Sequence, residues 1–90
     1  MALKLKGEMA MLTADSYMFT EEYREAHEWY ERAILLEYFE EVPEVYLYNA
    51  EMLKMMTEYD KALEMYNLYM KLVPESDQAQ VGIESCKMNK

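Results

Sequence analysis

The chain has 90 residues, of which 52% are hydrophobic and 30% charged, and its 18 acids against 9 lysines and arginines give a formal net charge of −9. A body this acidic repels phosphate backbones, which excludes nucleic acid as a partner and disfavours an anionic membrane surface. The apolar content is too high for a disordered tail, and two glycines with two prolines leave few places to turn, which favours a few long helices over many short strands.

The first helix is expected over residues 3–19, where Ala10, Ala14 and Tyr17 share a face at i, i+4, i+7. Lys4, Lys6 and Glu8 interrupt any apolar run here, so no signal peptide is expected, and no window is apolar for long enough to span a membrane. Thr20 reads as the N-cap of a second helix that starts on Glu21, Glu22 and Tyr23 and runs to about Tyr38. That helix carries Tyr23, Ala26, Tyr30, Ala33 and Ile34 on one face, with a solvent-side ion pair from Glu28 to Arg32.

Pro43 opens a third helix, with Tyr46, Ala50, Leu53 and Met56 on one side. Thr57 falls in a turn, Glu58 and Asp60 start a fourth helix, and Tyr59, Ala62, Tyr66 and Tyr69 or Met70 follow at helical spacing until Pro74 ends it. Ser76 or Asp77 caps a last helix reaching about Met88, with Ala79, Ile83 and Cys86 inward. Cys86 is the lone cysteine, so it has no internal disulfide partner and reads as a small core residue.

These elements repeat. A shift of 36 residues lays Glu22, Tyr23, Ala26, Glu28, Tyr30 and Leu36 on Glu58, Tyr59, Ala62, Glu64, Tyr66 and Leu72, and upstream lays Glu8, Ala14 and Asp15 on Glu44, Ala50 and Glu51. Each copy is a pair of helices in which small residues let the axes approach and aromatics fill the spaces beside them.

Ala14, Tyr17, Tyr23, Ala26, Tyr30 and Ala33 in the first copy, with Tyr46, Ala50, Leu53, Tyr59, Ala62, Tyr66 and Pro74 in the second, resemble the tetratricopeptide repeat. The resemblance implies an all-α fold: a right-handed superhelix of two antiparallel hairpins (about 3–39 and 43–73) plus a C-terminal capping helix (76–89), five helices in one domain over 1–90. The period departs from the family's usual 34 residues, and the two extra residues are expected around positions 40–42. Tyr38 stands where the first copy's proline would be, Tyr69 replaces a small residue, and Ala10 stands where a bulkier aromatic is common. A narrower likeness, carried by WYERAILL and YDKALEMYNLYMKLVPESDQAQVGIESCK, is to tetratricopeptide segments of OmpA-like envelope proteins of the Bacteroidetes. That likeness would place the chain in the periplasm as a fragment of a larger protein; as a complete chain it would be cytoplasmic.

Members of the family hold peptides in the concave groove lined by the first helix of each hairpin. By matching positions, the resemblance implies a groove of Glu8, Met11, Asp15, Met18 and Phe19 from the first copy and Glu44, Leu47, Glu51, Lys54 and Met55 from the second. The mixture of adaptable methionines and acids suits a protein or peptide partner that is apolar and basic; alternatively the methionines fill packing gaps and the acids form a solvated rim. The family's carboxylate-gripping clamp of Lys and Asn is absent, because Met11, Asp15, Leu47 and Glu51 occupy that face.

No catalytic, metal or cofactor role is expected. His27 lacks ligands converging from another helix and reads as a packing or rim residue, with Glu31 at i+4 in reach for pairing. Trp29 is either an anchor for a partner or an edge packer, and Glu37, Glu40, Glu41 and Glu44 form a solvated acidic face. With Gly7 and Gly82 as the sole glycines, a phosphate-cradling loop is excluded. The expectation is a protein-binding module. The alternative is a structural or assembly domain, homodimerising or part of a cell-envelope protein, because the first hairpin has no cap before it and its outer face would be exposed and apolar.

Overall fold

The computed structural model describes residues 2–89, with side chains from residue 5 onward; Met1 and Lys90, the two ends of the expected domain, lie outside the described residues. Among these the fold is all-α, with five helices and no strand: α1 (Ala2–Phe19), α2 (Tyr23–Leu35), α3 (Glu44–Met55), α4 (Tyr59–Leu72) and α5 (Asp77–Met88). A single 3-10 turn, Tyr38–Glu40, precedes α3. Each helix packs against the next in sequence, and α3 also touches α5. The result is a slab of 40 × 28 × 17 Å, its least dimension that of two helix layers.

Alanines set the spacing. Ala14, Ala26, Ala33, Ala50 and Ala62 are fully buried, so the helix axes close in at those points and the rings of Tyr30 and Tyr66, also fully buried, fill the flanks. Tyr23 and Tyr59 cover the edges, half-buried against the two cores. The first core joins α1, α2 and one side of α3, which contributes Val45 and Met52; the second joins the other side of α3, through Tyr46, Ala50 and Leu53, to α4 and α5. α3 is therefore buried on both flanks and ties the two halves together.

Both ends of α2 differ from the sequence reading, and each change follows from a left-handed residue. α1 and α3 each close by a left-handed residue. Glu21 and Thr57, 36 positions apart, have φ of 61° in both cases. At the first, the N–H of Glu22 donates to Tyr17 O (2.9 Å) and that of Glu21 to Met18 O (3.0 Å); at the second, Glu58 donates to Leu53 O (2.9 Å) and Thr57 to Lys54 O (2.9 Å). This is the Schellman closure, which satisfies the last carbonyls of the helix. It moves the start of α2 two residues on, so Glu22 and not Thr20 is its N-cap residue, and no side chain caps it. The Thr20 hydroxyl turns back instead, 3.0 Å from Tyr17 O and 2.7 Å from Glu22 Oε2. Left-handed backbone costs an ordinary residue roughly 1–2 kcal/mol. Glu21→Gly and Thr57→Gly are each expected to raise stability by up to about 1 kcal/mol, since glycine's greater unfolded-state freedom takes part of the gain back. Urea denaturation checks this, and a midpoint lowered by both substitutions would refute the turn geometry.

The other end of α2 falls at Leu35 and does not reach Tyr38. Glu37, with φ of 60°, turns the chain into the 3-10 segment. Tyr38 is buried over α1 at Gly7, where an added Cβ would lie 2.7 Å from Tyr38 Cβ. The starts of the later helices follow their local chemistry. Pro43 already has helical φ and ψ (−56°, −25°) before α3. Val73 is extended (φ −133°) ahead of Pro74, as the proline ring demands. Ser76 is the N-cap of α5, its Oγ accepting from Ala79 N at 3.1 Å.

Candidate protein-binding face

Of the ten residues expected to line a groove, the structure removes two. Met11 and Leu47, which are counterparts 36 residues apart, are buried in the first and second cores respectively. At 8% and 3% exposure they offer a partner little surface. The other eight remain at least partly accessible. On α1, Glu8 is exposed, Asp15 and Met18 are half-buried and Phe19 is 81% exposed; on α3, Glu44, Glu51 and Lys54 are half-buried and Met55 is 52% exposed. Among the described residues no hydrogen bond or ion pair links the α1 group to the α3 group. Met18 packs against the first core, to which α3 contributes Val45 and Met52 and none of its own expected groove residues.

Three of the carboxylates are held by tyrosines of the hairpins' second helices. Tyr30 Oη donates to Asp15 Oδ1 at 2.5 Å and Tyr66 Oη to Glu51 Oε2 at 2.5 Å; the two pairs are related by the 36-residue shift. Tyr69 Oη donates to Glu44 Oε2 at 3.2 Å, so the tyrosine that replaces a small residue reaches the start of α3. Glu51 also pairs with Lys54 Nζ at 3.4 Å. Each ring thus fills a core while its hydroxyl fixes an acid at the accessible edge; Asp15 and Glu51 stand one turn before the exposed Phe19 and Met55.

Burial first, and then the neighbouring carboxylate, hold the phenols of Tyr30 and Tyr66 protonated well above their ordinary range. Burial likewise pushes the Cys86 thiol up. The unfolded chain releases these protons from about pH 8.5 for the thiol and about pH 10 for the phenols, whereas the folded chain retains them. Stability is therefore complete below that range and falls as pH rises through it, by up to about 1.4 kcal/mol per pH unit for each group. Urea midpoints between neutral and strongly alkaline pH are expected to show this fall, and to show a shallower one in a Tyr30→Phe/Tyr66→Phe variant. A midpoint that does not change with pH would contradict the burial of the three groups.

The polar group most enclosed in the fold lies elsewhere. Asn49 is fully buried between α2 and α3, where its Oδ1 accepts from His27 Nδ1 (2.7 Å) and its Nδ2 donates to Glu31 Oε2 (2.7 Å). His27 and Glu31 are therefore bridged by Asn49 and not paired directly. The sequence signal was present, an asparagine amid the apolar Val45, Tyr48 and Met52 of one helical face, but its partners sit on another helix. Arg32 lies over the Trp29 ring, 4.5 Å from its centroid, in place of the expected pair with Glu28, so Trp29 packs half-buried at the edge of the first core. Cys86 is buried in the second core. Among the described residues no group of three or more His, Cys, Asp or Glu side chains is arranged to hold a metal ion, and no helix is long and apolar enough to cross a membrane. A shallow crease of about 380 Å³ runs between α4 and α5 beside Met70 and Ile83. Compared with family models, curated proteins and solved structures, the chain matches none.

Proposed function

We propose that this chain is a non-catalytic interaction module of the tetratricopeptide type, two stacked hairpins in a right-handed superhelix closed by α5, which holds a protein or peptide segment along α1 and α3. The observation that carries this reading is the matched pair of acid and apolar side chains. Asp15 and Glu51, each fixed by a tyrosine hydroxyl, stand one turn before the exposed Phe19 and Met55 at positions related by the repeat. A carboxylate held in place and an apolar side chain left in water, presented twice, suit a ligand with basic and apolar side chains in alternation. The net charge of −9 draws such a ligand in.

The test is retention of immobilised peptides of alternating leucine and lysine against matched peptides of leucine and glutamate, by the intact chain and by a Phe19→Ser/Met55→Ser variant. Both residues are exposed, so the variant keeps its fold. Burying a large apolar side chain contributes about 1.5–3 kcal/mol, so the double variant is expected to bind the lysine peptides at least about tenfold more weakly. Equal retention of the two peptide sets, or undiminished binding by the variant, would overturn the assignment.

A further inference from the structure

α1 is apolar on two opposite sides. One side is the first core; the other, Leu5, Met9 and Leu12 at 58%, 59% and 59% exposure, faces solvent with Ser16 one turn further on. The repeat identifies what this outer side is. Met9, Leu12 and Ser16 are the counterparts, 36 residues earlier, of Val45, Tyr48 and Met52, the side through which α3 stacks on α2. There Val45 and Met52 are buried, and the Tyr48 ring lies 6.1 Å from that of Tyr30. α5 uses Ala79, Gly82 and Cys86 in the same way against α4. In α1 alone of the three first helices is this stacking side left in water.

We infer that a second copy of this chain covers it, α1 lying antiparallel on the partner's α1 about a two-fold axis. Three observations select this occupant. The spacing 5, 9, 12, 16 is that of a coiled-coil seam, and antiparallel pairing about its centre sets Leu5 against the partner's small Ser16 and Met9 against the partner's Leu12. The charge is favourably distributed: α1 holds two bases, Lys4 and Lys6, and two acids, Glu8 and Asp15, so the net −9 resides in residues 20–90, which this arrangement keeps on opposite sides of the pair. The area is sufficient, since covering the seam and its flanks on two copies removes on the order of 1,000 Å² from water, the lower bound of specific interfaces. Head-to-tail stacking would set this seam against the outer side of α5, where Glu84 lies between the exposed Val81 and Met88 and would be buried with no basic partner in the seam; a two-fold contact avoids this and closes on itself, leaving no growing end.

Sedimentation equilibrium of the full chain tests the assignment. The expected result is a reversible monomer–dimer equilibrium that tightens as salt screens the acidic bodies. Leu12→Glu is expected to weaken it more than about 100-fold, because it buries a carboxylate from each copy in the seam, while leaving the helical circular dichroism intact. Val81→Glu, on the exposed outer side of α5, is expected to leave the equilibrium unchanged. A mass of one chain at every concentration overturns the proposal, as does a dimer that survives Leu12→Glu. Assemblies that grow beyond two copies and are broken by Val81→Glu overturn it too, in favour of head-to-tail stacking.

Discussion

Tyr66→Ala is expected to cost about 3–5 kcal/mol, the range for truncating a buried aromatic ring. A chain of this size has a total stability of roughly 5–13 kcal/mol, so a single substitution removes a large share of it. Tyr66 is fully buried where α3, α4 and α5 meet: its ring lies against Gly82 of α5 and its hydroxyl donates to Glu51 of α3. The ring fills a core shared by α3, α4 and α5, so its removal leaves a cavity between three helices. At about 4–8 °C per kcal/mol, the melting temperature should fall by about 12–40 °C. Tyr66→Phe separates the two contributions. It keeps the ring and loses only the hydrogen bond, at about 1 kcal/mol, since half-buried Glu51 retains Lys54 and solvent. Tyr30→Ala should behave similarly in the first core. Thermal and urea denaturation followed by circular dichroism decide the matter; equal losses for Tyr66→Phe and Tyr66→Ala would mean that the hydroxyl, not the ring, holds the second half together.

Gly82→Ala is expected to destabilise the fold by about 1–3 kcal/mol, as overpacking of a filled core does, although alanine in a helix is worth about 1 kcal/mol over glycine. A Cβ at Gly82 would lie 2.3 Å from Tyr66 Cζ and 2.6 Å from Cε1 and Oη. The ring has no way to retreat, being buried and tied to Glu51, so α5 must move off α4. The same clash provides its own control. In a Tyr66→Ala background the steric penalty disappears, and Gly82→Ala should become neutral or stabilising. A double-mutant cycle measures that coupling, and its absence would show that the two residues do not touch.

The repeat alignment placed Asp15 with Glu51 and Tyr30 with Tyr66, and the structure joins each acid to its tyrosine across the hairpin. The joining itself was not legible, because it depends on how far a ring extends past the alanine notch beside it. Matching positions to a family groove assigned Met11 and Leu47 to a surface, whereas both are buried in the cores. Periodicity alone leaves such a residue ambiguous, since at 100° per residue a side chain at the edge of the packed stripe can turn either way. Asn49 shows the same limit. Its place on an apolar face marks it as unusual, but only the approach of α2 supplies His27 and Glu31.

What the sequence by itself determined is the helical class, the number of helices, the alanine and tyrosine rows that form the cores, and the starts of α3 and α5, where Pro43 and Ser76 act within a few residues of themselves. Both ends of α2, and the left-handed closures between the helices, were decided by tertiary structure. Left-handed backbone there falls on Glu21, Glu37 and Thr57, residues with no local preference for it, and is adopted because the hairpins and the connection between them must close for the cores to fill. The same holds for the outer side of α1. Its apolar residues are plain in the sequence, but that they remain in water while the matching sides of α3 and α5 are covered depends on which helix comes before each, and that is a property of the stack, not of any one segment.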